Sequence, residues 1–319
     1  MLLIFSGIEK TKIVSIYNKL KYGKEEMVLT IPLDKETTNI YIKSSQPSSS
    51  INAMQVSSEQ SLHFTGRLPS GLYPFVYGGK SESKRLWHGQ LLGSNTIETK
   101  GSGNEVDGII FDVCDVRLLL VPQHLVERAL TELYTEDKFI QYSQYNAYEL
   151  TNESLATFLK IHTAVLNNEE VSEMSLMTCL FELLKNPVTQ ESMVDNRYAL
   201  LRQAIAIMNQ HIKDPISITV LANQLDIGVR NLELVFQKYL TISPKSYYKR
   251  LLLSYVEIAL RNKGGHSVSN VLEEFQIYNL SQFGASFKKN FDTTPSQSFS
   301  MKNKNNPFGW DEKVFLEFL

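Results

Sequence analysis

The stretch Ile218-Thr219-Val220-Leu221-Ala222-Asn223-Gln224-Leu225-Asp226-Ile227 decides how the chain reads, because it recurs about 50 residues later as Val268-Ser269-Asn270-Val271-Leu272-Glu273-Glu274-Phe275-Gln276-Ile277. Both copies place apolar residues at their first, fourth, fifth, eighth and tenth positions. After one extra residue the match resumes, Leu232 with Phe283, Phe236 with Phe287, Leu240 with Phe291 and Pro244 with Pro295. Apolar residues at i, i+3 and i+4 line one face of a helix on either side of a break, so each copy reads as helix, turn, helix.

The segments around the copies fit the same plan. Ser243-Pro244 opens a connecting helix, with Ser as cap and Pro at the first helical position, where no amide bond is lost. It runs to about Asn262 and stops at Lys263-Gly264-Gly265. Roughly 20 residues at about 1.5 Å each span about 30 Å, close to the ~34 Å of one turn of B-DNA. A helix from Tyr198 to Ile212, with Leu201, Ala204, Ile205, Met208 and Ile212 on one face, braces the first copy and is stopped by Asp214-Pro215. Thr219 is expected to cap the helix Val220 to Leu225.

Two helix-turn-helix motifs joined by a helix, at the C-terminal end of a chain this long, resemble the AraC/XylS family of bacterial transcription regulators. The residues that carry the resemblance are Leu221-Ala222 with Leu225-Asp226-Ile227, Arg230 with Leu232 and Phe236, Ile242-Ser243-Pro244 with Tyr247, and Phe283, Phe287, Phe291 and Pro295. The resemblance implies binding to double-stranded promoter DNA, contact with RNA polymerase and activation of transcription. It also implies an N-terminal cupin-like barrel that binds a small-molecule effector or forms a homodimer. Departures mark a divergent member: Leu272 stands where a small residue is usual, and Gln276-Ile277 replaces Gly-Phe. Thr241 and Asp292 stand for glycines, and Leu252 and Leu234 for arginines.

On the first recognition helix, Val229 to Tyr239, the positions that enter the groove in the family correspond to Arg230, Glu233 and Leu234. Arg230 can pair bidentately with guanine O6 and N7, Glu233 can accept from cytosine N4, and Leu234 can meet a thymine methyl. Asn231, Gln237 and Lys238 share that face, the last two suited to the backbone. The bland alternative makes Arg230 and Glu233 solvated surface residues. On the second recognition helix, Leu280 to Asn290, the outward set is Leu280, Ser281, Gln282, Gly284 and Ala285, with Lys288 and Lys289 for phosphates. Only Ser281 and Gln282 of that set bond readily to bases, so discrimination is expected mainly in the first motif and register and backbone affinity in the second.

The N-terminal part reads differently. Up to about Val121 it is a series of short runs rich in Ile, Val, Tyr and Phe: Leu2 to Ile8, Met27 to Ile31, Asn39 to Lys43, Asn52 to Val56, Leu62 to Leu68, Leu72 to Tyr77, Leu86 to Leu92, Gly108 to Val113 and Val116 to Val121. Strands this numerous point to a sandwich or barrel. Helical patterns follow at Pro122 to Tyr134, Asn152 to Asn167 and Ser172 to Lys185. In the second, Leu155, Phe158, Leu159, His162, Val165 and Leu166 form an apolar stripe that must be covered, either by the strands or by its own copy in a dimer. Arg67, Tyr73, Phe75, Tyr77, Trp87 and His88 crowd one segment and form either plain core or the lining of an effector pocket. The expected fold class is therefore α+β: a cupin-like barrel with a helical end over residues 1–185, a linker at 186–196, and an all-α double helix-turn-helix domain at 197–306. An amphipathic tail follows at 307–319, with Trp310, Val314, Phe315, Phe318 and Leu319 at helical spacing.

Composition supports this. The net charge of -2 hides an asymmetry, since residues 198–306 carry 13 Lys and Arg against 7 Asp and Glu, a balance of +6 that leaves -8 for the rest. A basic part beside an acidic part suits an anionic partner for the former and equally a solvated surface. Met1 to Ile8 is apolar but too short, and without a basic flank, for a signal peptide or a membrane span, which implies a cytoplasmic protein with no membrane partner. Cys114 and Cys179 give no disulfide framework. His63, His88 and His124 lack metal-cupin spacing, so no metal and no cofactor are expected. Without a Gly-rich phosphate loop, a zincin His pair or Gly-x-Ser-x-Gly, catalysis has no visible seat. Two other readings stay open: a regulator that has lost DNA binding and acts by protein contact, and a cupin-type enzyme with a helical appendage.

Overall fold

The structure, a computed structural model, describes residues 9–11, 14–16, 28–33, 40–45, 51–59, 61–67, 71–79, 85–99, 105–111, 114–135, 147–188, 196–262, 267–291 and 293–300. The expected strand Leu2 to Ile8, the helix stop at Lys263-Gly264-Gly265 and the tail 307–319 lie outside them. The described strands form two antiparallel sheets. The first carries, in spatial order, β1 (Glu9–Thr11), β4 (Ile40–Ser44), β5 (Asn52–Ser58), β12 (Cys114–Pro122), β7 (Leu72–Tyr77), β10 (Thr96–Thr99) and β13 (Ala147–Glu149). The second carries β2 (Val14–Ile16), β3 (Val28–Pro32), β6 (Leu62–Arg67), β11 (Glu105–Ile110), β8 (Arg85–Trp87) and β9 (Gln90–Leu92).

Side-chain alternation along the strands sorts the interior into layers. Val116 and Leu120 of β12 and Leu72 of β7 point one way, into a cluster with Phe64, Trp87, Val106 and Ile110 of the second sheet. This cluster lies between the sheets. Leu119 and Val121 of β12, with Tyr73, Phe75 and Tyr77 of β7, point the other way and meet three helices, α1 (Gln123–Leu133), α2 (Asn152–Leu166) and α3 (Glu173–Leu183). The stripe on α2 is covered here: Leu155, Phe158, His162 and Leu166 are buried against the first sheet and α3, with Leu159 partly so. His162 Nε2 lies 3.0 Å from the carbonyl of Met54 on β5. Of the two covers the pattern allows, the chain itself supplies one.

Polar links cross between the sheets. Arg85 on β8 pairs with Glu98 on β10 at 2.6 Å with both side chains buried, and Trp87 Nε1 donates to the Thr99 carbonyl at 2.7 Å. Arg85 also donates to Thr96 Oγ1 at 3.1 Å, and Gly78 leaves the space that its guanidinium fills.

The C-terminal helices are α4 (Asn196–Gln210), α5 (Ile218–Gln224), α6 (Val229–Leu240), α7 (Pro244–Asn262), α8 (Val268–Glu274), α9 (Leu280–Phe291) and α10 (Pro295–Ser300). They cover the outer face of the second sheet, where Ile31, Leu33 and Ile109 join Tyr198, Leu201, Tyr247 and Leu251 in one core. Layer by layer the molecule runs helices, sheet, sheet, helices. Residues 186–188 of the expected linker run beside β13, where Val188 N donates to the Ala147 carbonyl at 2.9 Å. Among the described residues no helix is long and apolar enough to cross a membrane.

Two expectations are corrected. Leu86 to Leu92 is a hairpin of β8 and β9, not one strand, because His88 and Gly89 both take positive φ, 49° and 85°, and fold a two-residue turn between Trp87 and Gln90. The cap of α5 is Ser217, not Thr219: the helix starts earlier, and the Ser217 hydroxyl accepts from Val220 N at 3.2 Å.

Burial, only partly offset by Arg85, pushes the Glu98 carboxyl from 4.5 up to about 7. The unfolded chain ionises first, so this stabilising contribution is complete below 4.5 and is lost as pH rises to about 7. Glu98→Gln should therefore flatten the stability profile over that window by about 3 kcal/mol, read from thermal melts of both proteins at a series of pH values.

Candidate nucleic-acid interface

Each motif is built on the same backbone device. At equivalent positions of the two turns Asp226 and Gln276 take φ of 53° and 54°, and the following amides close back onto the first helix, Ile227 N to Ala222 O at 3.1 Å and Ile277 N to Leu272 O at 2.9 Å. The left-handed residue reverses the chain, so the second helix of each pair leaves at an angle. Neither position is glycine, and among the described C-terminal helices Thr241, which ends α6, is a third non-glycine held this way, at φ 59°.

On α6 the apolar side, Leu232, Val235, Phe236, Tyr239 and Leu240, is buried. The other side faces solvent with Arg230 82% exposed, Glu233 47% and Leu234 51%, beside exposed Asn231, Gln237 and Lys238. Arg230 and Glu233 sit 3.6 Å apart as an i, i+3 pair. The Lys238 ammonium rests 4.8 Å from the centre of the Tyr239 ring, held against its own helix. Two aromatic rings back the helix edge-on: Tyr198 of α4 against Tyr239 at 5.1 Å, and Tyr247 of α7 against Phe236 at 5.7 Å.

The second recognition helix, α9, exposes Ser281, Gln282, Ala285, Lys288 and Lys289, while Gly284 is half-buried. Its N-cap is Asn279, whose side-chain oxygen accepts from Gln282 N at 3.1 Å and whose amide donates to Gln282 Oε1 at 3.3 Å. The polar reach of Gln282 is thus partly spent within the cap. Phe283, Phe287 and Phe291 stack along the inner side, and Lys249 of α7 donates to Ser286 at 2.7 Å. Leu280 is 54% exposed, on the outward side as its position on the helix implies, and one exposed residue escaped the reading of the sequence: Tyr278, 76% exposed. The signal for Tyr278 was the extra residue in the second turn. Connecting helix α7 is 19 residues long, about 28 Å by the usual rise. Ser243 caps it, accepting from Ser246 N at 3.2 Å.

The aromatic segment of the N-terminal part is not gathered round one cavity. Tyr73, Phe75 and Tyr77 face the helical layer, Trp87 faces the space between the sheets, and Arg67 is exposed and 3.6 Å from Glu105. His88 stands edge-on to Trp87 in the β8–β9 turn, and its backbone N donates to the Asp107 carbonyl at 2.8 Å.

Residues 221–300 match a family model described as a helix-turn-helix domain. Over 79 residues the chain is 32% identical to the HTH-type transcriptional regulator GbdR of Pseudomonas aeruginosa, 23% of this chain and 22% of that one. Over 128 residues it is 23% identical to the XylDLEGF operon transcriptional activator 2 of Pseudomonas putida, 40% of this chain and 81% of that one. The C-terminal helices form a helix-turn-helix domain. The chain thus spans only 22% of the length of the GbdR relative. Among solved structures, ToxT from Vibrio cholerae aligns over 88% of this chain and 100% of its own, at 10% identity and a TM-score of 0.33. An AraC-type regulator from Chromobacterium violaceum aligns over 35% of this chain and 98% of its own, at 22% identity and a TM-score of 0.32.

A non-glycine residue held left-handed costs about 1 to 2 kcal/mol, against about 0.5 to 1 kcal/mol of extra chain entropy for glycine. Gln276 is exposed and so loses no contact of weight. Gln276→Gly should raise stability by about 0.5 to 1 kcal/mol, measured as a shift of the denaturant midpoint.

Proposed function

We propose that the protein is a sequence-specific DNA-binding transcription regulator in which α6 and α9 enter successive major grooves of promoter DNA, spaced by α7. The observation that carries this reading is the exposed polar face of α6 over a buried apolar one, with Arg230 projecting and the helix itself backed by two aromatic rings. Arg230, Asn231, Glu233 and Leu234 read bases from the first motif. Ser281, Gln282 and Ala285 make the lighter contacts of the second, and Gln237, Lys238, Lys288 and Lys289 serve the backbone. The layered N-terminal part, a cupin-like barrel in the family pattern, acts as effector-binding or dimerising unit over residues 1–185, joined by 186–196 to 197–306. Activation through contact with RNA polymerase is the favoured sign, in keeping with the printed name of the P. putida relative.

Selection of bound sequences from a random DNA pool by the purified chain tests the reading. It should return two half-sites about one helical turn apart, bound with a steep negative dependence on salt; binding without sequence preference or salt dependence would overturn it. A ligand at about 100 times its dissociation constant adds ~2.7 kcal/mol, so a thermal-shift screen reports an effector directly.

Two substitutions separate the contacts. Arg230→Ala should cost about 1 to 3 kcal/mol on the selected site and relax one base position of the first half-site. Lys288→Ala should weaken all sequences alike and lower the salt slope by about one, as measured by titrations at several salt concentrations.

A further inference from the structure

A cluster of polar side chains joins the second sheet to the C-terminal helices. At its centre is Asp107 of β11, a buried carboxylate. It receives His63 Nε2 of β6 at 3.0 Å on one oxygen, and the Tyr198 hydroxyl at 3.0 Å and Arg202 Nε at 3.2 Å, both from α4, on the other. Burial alone would raise this carboxyl, but the hydrogen bond from His63 and the charge of Arg202 act against it, and the carboxyl lies below the ordinary value. An ionised carboxylate only accepts, so His63 carries its proton on Nε2. In the neutral ring Nδ1 then accepts from the Tyr247 hydroxyl of α7, 2.9 Å away. Burial, with Asp107 next, holds both tyrosines neutral by raising them well above 10.0, so each remains a donor.

Both arms of this cluster end on the same helix. Asp107 fixes Tyr198, which meets Tyr239 of α6 edge-on, and through His63 it fixes Tyr247, which meets Phe236 of α6 edge-on. The phenol of Tyr198 is also pressed by Gly89 of the β8–β9 turn, where a side chain would collide with the ring. Arg202 adds a pair to Glu105 at 2.6 Å, and Arg250 of α7 donates to the Pro32 carbonyl. These links fall on α4, which packs on the first motif, and on α7, which joins the two motifs and carries Tyr247 at the end next to α6. The rings that carry the cluster's two hydroxyls meet α6, whereas the inner side of α9 is lined by its own phenylalanines and is reached from α7 through Lys249 and Ser286.

We propose that Asp107 and His63 are positioning residues for the first recognition helix: they lie outside the DNA-binding domain, yet through Tyr198 and Tyr247 they set the seat of α6 and hence the fit of the first half-site alone. The proposal takes from the proposed function that α6 reads DNA, but the seating of α6 is measurable without DNA. Any signal reaching the second sheet would act on one half of the bipartite site and spare the other.

The test uses the full chain and two conservative variants, Asp107→Asn and Tyr247→Phe, the second keeping the ring contact and losing only the hydroxyl. Hydrogen exchange read by mass spectrometry should show amides of α6 exchanging about tenfold faster in both variants, with α9 unchanged, a loss of about one charge-assisted hydrogen bond. On the selected DNA both variants should lose about tenfold in affinity, and on a site with its first half scrambled they should match the unaltered chain. Equal acceleration in α6 and α9, or no change in either helix in a folded variant, would overturn the proposal. Faster exchange in α6 alone, in a chain that proves to bind no DNA selectively, would uphold the seating while sinking the regulator reading.

Discussion

A helix of twelve residues is marginal in water on its own, so one that presents a fixed polar face to solvent depends on what stands behind it. For α6 the backing is aromatic and comes from two directions, Tyr198 on α4 and Tyr247 on α7, both buried. Neither phenol is placed by apolar packing alone. Each hydroxyl is tied to Asp107, directly or through His63, and the carboxylate is itself desolvated by the apolar layer it sits in. Removing one member would leave the others buried and unsatisfied, the costly case for polar groups in an interior. The sandwich, the brace helix and the start of the connecting helix therefore behave as one piece.

The two motifs share a turn and differ in almost everything hung on it. Both reverse through a left-handed residue followed by an amide closing onto the first helix. The first presents a guanidinium and a carboxylate, and the second presents Ser281, Ala285 and a glutamine engaged with its own cap. Backbone geometry is set by apolar spacing and survives such drift, because the buried side of a helix constrains little of what the wet side carries.

That difference explains what the sequence made legible. The duplicated spacing located all the helices of the two motifs to within a residue or two, and the stripe on α2 announced its own burial. Strands with alternating apolar residues, such as β7 and β12, were readable, whereas β10 and β13 are short and partly polar and gave no period. The turn at His88-Gly89 was missed because only one of its two residues is glycine. Exposure of Arg230 and Glu233 followed from the helical face, but their mutual pairing did not. The Asp107 cluster was beyond reach altogether: its hydrogen-bonded pairs are 44 to 184 positions apart in sequence, and spacing rules speak only of neighbours along one element.

The short separation of Arg230 and Glu233 has a bearing on searching. An exposed pair of this kind contributes about 0 to 1 kcal/mol, too little to resist a stronger ligand such as the guanine of the proposed reading, yet enough to give the guanidinium somewhere to return when no such ligand is there. The carboxylate also blunts the positive field at the tip of the helix, so a random stretch of phosphates attracts it less. If α6 reads DNA as proposed, the chain thus carries its own competitor for Arg230, a rival ligand tethered one helical turn away that would shorten the stay on unrelated DNA.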